Sequence, residues 1–257
     1  MSGTIIKEIK YGLRNHIFLL LLAGFFFFAL MAPIMAKLLP QIVQSQFPHL
    51  PQEQINAMLN FSQAEIIRSF LGDVLEIVVI IVAFTLCGLL AQEIKEQTLV
   101  LPLCSGKSFA EIIGAKIIVF GVALYLISLL AVLINYLYAG MLFSFETGIG
   151  AVIRAGLLLG LFLNFVLVCL LMWGSMTQTP ITAGIFSLIT VYGQYGIAAL
   201  FDLHAYFPSG LLVAANELTT DISVSLLLTI IITVVLCAVF CYITILRLKT
   251  REWNERI

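Results

Sequence analysis

Charge is scarce in this chain: 13 Lys and Arg and 14 Asp and Glu in 257 residues, 11% of the total. A soluble surface needs about 25–35% charged positions, so a water-soluble globule is excluded. The net charge of −1 and the lack of a large basic patch exclude nucleic acid as a partner. Cysteines are few, and none supports a disulfide scaffold: Cys87, Cys169, Cys237 and Cys241 lie inside apolar runs, and Cys104 in a polar stretch. Cys237 and Cys241 share a helix face, but nothing beside them completes a metal shell, and they read as small buried apolar groups. Of the histidines, His16, His49 and His204, none belongs to an H-E-x-x-H pair, and no G-x-S-x-G nucleophile turn occurs.

Apolar length is what the chain has. Hydrophobic residues make up 61% of it, against roughly 45–50% in soluble domains. Six runs near 17–36, 74–91, 117–140, 151–172, 181–200 and 224–246 approach or exceed the ~20 residues that cross a bilayer. The expectation is an all-α polytopic membrane protein forming a single domain over 1–257. The first run is too long for a leader core and reads as an uncleaved first span. Lys7, Lys10, Arg14, Lys95, Lys107, Lys116, Arg247, Lys249, Arg251 and Arg256 fall on one side of the spans; Lys37, Arg68 and Arg154 fall on the other. That bias puts both termini and the 93–116 loop in the cytoplasm of a multi-pass cell-membrane protein. Loops 38–72, 141–150 and 201–223 then face outward.

Three shorter segments carry their own signals. Over 4–17, Ile6, Ile9, Leu13 and Ile17 recur at helical spacing while Lys7, Lys10 and Arg14 gather on another face. This predicts an amphipathic helix lying along the inner leaflet. In 38–72, Pro51 opens a short helix through Gln54 and Ala57, and Ser62-Gln63-Ala64-Glu65 signals a second start by a capping box. Together they predict a small helical cap, serving as a gate or as a connector. In 201–223 the apolar Leu211-Leu212-Val213-Ala214-Ala215 sits among Asp202, His204, Pro208, Gly210, Asn216, Glu217 and Asp221. A re-entrant outer hairpin before the last span is expected.

The 93–116 loop holds six of the scarce charges and the sequence Ser105-Gly106-Lys107-Ser108. A nucleotide-binding loop reads G-x-x-x-x-G-K-[ST], its first glycine permitting the turn that lets backbone amides cradle phosphate. Here the first position is Leu101, and Pro102 lacks an amide to donate. No strand is expected before it, so the chain itself is not read as an ATP-hydrolysing enzyme.

Two groups of residues on this side carry a family resemblance. Lys7-Glu8 with Leu13-Arg14-Asn15 precede the first span; Glu93, Glu96, Thr98, Leu99, Ser105, Lys107 and Gly114-Ala115-Lys116 follow the second. Together with the six-span layout they resemble the permeases of type-2 ABC transporters, over nearly the whole chain. Gln97 stands where the family commonly has glycine, and Pro102 comes early. The resemblance implies a cytoplasmic coupling helix docking on a separate ABC ATPase subunit that binds the ATP and magnesium, with no cofactor in this chain. Leu99, Val100 and Leu101 would make the apolar contact, Glu93, Glu96 and Lys107 the polar rim, and Thr98 belongs to the same motif. It also implies efflux, and a homodimer or a pairing with a second similar permease through the first and fifth spans. Gly184, Gly193 and Gly196 in the fifth span would permit close approach.

Asp73 and Glu76 share a face of the second span, and Arg154 lies at similar depth in the fourth. Charges at a span centre cost about 2.5–3.5 kcal/mol on insertion scales, so an Arg154–Asp73 or Arg154–Glu76 bridge is expected, with a cation or substrate contact as the rival. Asn135, Asn164 and Gln194 read as interhelical hydrogen-bond donors. Outside the transporter class, an ATPase-independent channel or substrate-capture protein and an intramembrane enzyme remain open.

Overall fold

A computed structural model describes residues 2–46, 61–177, 179–221 and 223–250. Within them every regular element is helical, and six helices are long and apolar enough to cross a membrane. These are α2 (Ile17–Gln46), α3 (Gln63–Lys95), α5 (Phe109–Phe143), α6 (Ile149–Met176), α7 (Pro180–Phe201) and α9 (Val224–Thr250). Three short helices complete the set: α1 (Ser2–Arg14), α4 (Val100–Cys104) and α8 (Gly210–Asn216).

α1 stops at His16, whose left-handed φ of 56° turns the chain directly into α2. Ile17 therefore belongs to α2. The 30 residues of α2 span about 45 Å at 1.5 Å each, well beyond the ~30 Å of a hydrocarbon core. It runs through Pro33 and Pro40, so the first part of the expected outer loop is helix. The capping box forms as read: Ser62 Oγ accepts from the Glu65 amide, and Glu65 accepts from the Ser62 amide. It opens the second span itself, however, and not a separate cap. The expected helix at Pro51, Gln54 and Ala57 lies outside the described residues. α3 is interrupted by a π turn at Val74–Val78 and by a turn at Cys87.

α6 is the buried centre, with α5, α9, α7, α8 and the C-terminal half of α3 packed around it. Gly160 lies so close to the Tyr125 ring that no Cβ would fit, and Asn164 fills the same role against Gly121. Asn164 donates to the carbonyls of Gly121 and Gly160, and Asn135 donates to Ala29, tying α5 to α6 and α2. Among the described residues, the Gln194 amide nitrogen is buried without an acceptor. Buried Gln63 joins three elements, donating to the Tyr136 carbonyl and accepting from the amides of Glu146 and Thr147. α8 follows a 3-10 turn at His204–Tyr206 and packs on α6, α9 and α3.

Candidate functional site

α1 meets the bundle through a face that the hydrophobic periodicity does not mark. Thr4, Glu8 and Gly12, spaced one turn apart, are buried, while Ile6, Ile9 and Leu13 point away from the protein. A Cβ at Gly12 would overlap the Phe18 ring, which would have to move to admit it. Glu8 thereby enters the interior beside Lys116 of α5, and neither has any exposed side-chain surface.

Lys116 Nζ lies 2.9 Å from Glu8 Oε2 and 3.0 Å from Glu93 Oε2. Lys7 Nζ lies 2.8 Å from Glu93 Oε1 and 3.6 Å from Glu8 Oε1. Two cations and two carboxylates thus close a neutral ring joining α1, the end of α3 and the start of α5. The Tyr11 ring flanks it, its centre 5.9 Å from the Lys116 ammonium. Burial works against the charge on Lys7, but the Glu93 bond and the fields of Glu93 and Glu8 outweigh it and raise its pKa. Tyr11 is also raised, first by burial and then by Glu93.

The connection leaving this ring is short and tightly bonded. Thr98 donates from both its amide and its hydroxyl to the Glu93 carbonyl. Gln97 holds a left-handed φ of 55°, which explains why glycine suits this position. α4 follows, then Gly106 at φ 81°, and Ser108 caps α5 by accepting from the Glu111 amide. The amides of Ser105, Gly106 and Lys107 donate to Leu101, Leu103 and Pro102. The Ser105-Gly106-Lys107-Ser108 run is a helix stop followed by a helix start.

Two expected contact residues are not at the surface. Glu93 is held inside by the ring, and Leu99 has no exposed surface and joins the hydrophobic core. Val100 is half-buried, and Leu101 is 76% exposed. Glu96, Thr98, Leu101 and Lys107 line a cavity of about 520 Å³ that also borders Lys7 and Tyr11 of α1. Sequence reasoning noted Glu8 and Lys116 as motif residues without giving them a place in the site. The available signal was an acid at the turn spacing of Thr4 and Gly12.

The expected bridge from Arg154 to Asp73 or Glu76 does not form. Arg154 donates to the Thr219 carbonyl and hydroxyl, both at 2.6 Å, and lies 4.0 Å from Glu217. Arg68 likewise donates to the Asn216 carbonyl, so two arginines are used to hold the segment after α8. Asp73 instead borders a second cavity, between α2 and α3. Glu76 is exposed, and its carbonyl and that of Leu75 accept from the Tyr192 hydroxyl. Gly184 packs against Cys87 within the chain, whereas Gly193 and Gly196 face open space. Among the described residues no group of His, Cys, Asp and Glu could hold a metal ion. Comparison with protein-family models, with curated proteins and with solved structures returned no match.

Proposed function

We propose that this chain is the permease subunit of an ATP-driven transporter of the type-2 ABC kind, working as an exporter with a separate ATPase subunit. The observation that carries the reading is the buried ring of Lys7, Glu8, Glu93 and Lys116. It fastens the 96–108 connection to α1 and to the two spans on either side of that connection. A load applied at exposed Leu101 or Glu96, or at half-buried Lys107, therefore passes into α3 and α5 together, as transport coupling requires. ATP and magnesium belong to the partner.

Other features fit this scheme. The outward Ile6, Ile9 and Leu13 of α1 suit the inner leaflet, with Lys10 and Arg14 among anionic head groups. The basic bias supports a cytoplasmic position for both termini. α8 is then a re-entrant element entering the outer leaflet between α6 and α9. A second membrane half, a copy of this chain or a similar permease, completes the assembly.

The test is recovery of ATPase on the tagged chain from native membranes. Leu101→Asp, at an exposed position, is expected to reduce recovered ATP hydrolysis about tenfold, the scale of losing one interface contact worth 1.4 kcal/mol. Undiminished recovery with this variant overturns the docking role. A substrate-capture protein lacking an ATPase is the second reading, favoured by the cavity beside Asp73. Absence of any ATPase from the parent complex would select it.

A further inference from the structure

The cavity between α2 and the outer half of α3 has no part in the coupling scheme. Its volume is about 580 Å³, within the roughly 300–1,000 Å³ of small-molecule sites. Phe28, Met31 and Met35 of α2 face Phe61 and Ile66 across it, and its polar edge is Ser69, Glu65 and Asp73. One carboxylate oxygen of Glu65 is used by the Ser62 amide in the capping box. Asp73 has no such use. Among the described residues none of the ion pairs includes it, and Arg154, expected to neutralise it, is bonded to Thr219.

We propose that this cavity binds an amphipathic organic cation, with the positive centre at Asp73 and the apolar body among Phe28, Met31, Met35 and Phe61. An ionisable group at membrane depth needs a partner or a water-filled space, and a cationic ligand supplies the partner that the described residues do not. Aromatic faces attract the same charge, and thioethers adapt to irregular apolar shapes. An anion would meet Asp73 and Glu65 together, with Glu76 one turn further on. A lipid tail would match the walls but leave the carboxylate unanswered. As a cargo site the cavity rests on the permease reading; as a binding site it does not need the ATPase.

Tetraphenylphosphonium and tetraphenylborate, of like size and opposite charge, separate these cases by equilibrium binding to the purified full-length protein in nanodiscs. Saturable binding of the cation alone is expected. Asp73→Asn should weaken it about tenfold or more, the scale of one lost charged contact. Ser69→Trp, which fills the cavity from an exposed position, should abolish it. Both variants should retain ATPase recovery. Equal uptake of the two ions, or cation binding unchanged in either folded variant, overturns the site. Cation binding that persists in a protein with no ATPase partner leaves the site standing and removes the permease reading.

Discussion

Lys116 persists with no exposed surface because carboxylates from two other helices meet it. Without it, Glu8 and Glu93 would stay buried side by side. Lys116→Met is therefore expected to cost about 3–5 kcal/mol, as breaking one side of a buried ion pair does. Thermal unfolding in detergent measures it. Adding Glu8→Gln should recover part of that loss, since one stranded carboxylate is removed; a double variant no better than the single would exclude direct pairing. Alkali probes Lys7. Its pKa is raised in the folded state, so its stabilising contribution is complete below the ordinary value of 10.5 and is lost as pH rises through the raised one. Protease protection of α1 should hold to that pH and fall above it. The four ring residues were visible in the sequence as motif letters, but their meeting was not. Lys7 and Glu93 are 86 positions apart, and Glu8 and Lys116 are 108 apart. Periodicity reports the face of one helix and carries no information about its neighbour.

At the scale of elements, α4 is bounded by two left-handed residues, Gln97 and Gly106. A β-branched residue tolerates this backbone worst. Gln97→Val should be less stable than Gln97→Gly by about 1–2 kcal/mol, again by thermal unfolding. Two leucines of this segment, alike in the sequence, should behave differently. Leu99→Ala is expected to cost about 2–5 kcal/mol because the side chain is fully buried, whereas Leu101→Ala should change stability by no more than about 0.5 kcal/mol. An apolar triplet too short for one turn shows no period, so sequence alone could not say which leucine turns inward. The capping box was legible because its two hydrogen bonds lie within one four-residue window. What it begins was not, since Asp73 and Glu76 interrupt the apolar pattern while the helix runs on through the π turn.

For the molecule as a whole, the six helices long and apolar enough to cross a membrane were readable from composition, because 20-residue apolar runs have few alternative uses. Their ends were less so: α2 and α5 extend well past the apolar stretches and carry polar residues with them. α6 is buried along most of its length, while α7 and α9 leave most of theirs exposed. Open Gly193 and Gly196 of α7 distinguish these environments. If a second membrane half packs there, Gly193→Leu should shift the purified protein to half its particle mass in light scattering while leaving the unfolding temperature nearly unchanged. Unaltered mass would place the contact elsewhere. The π turn also sets a phase. Each residue of an α-helix advances about 100° around its axis, so the wider turn at Val74–Val78 offsets the angular register of everything before it from everything after. Deleting one residue there would leave Glu93 engaged with α1 and α5 yet swing Asp73 out of its cavity. One residue at Val74–Val78 thus governs how the Asp73 cavity and the ring at Glu93 are rotationally geared to each other.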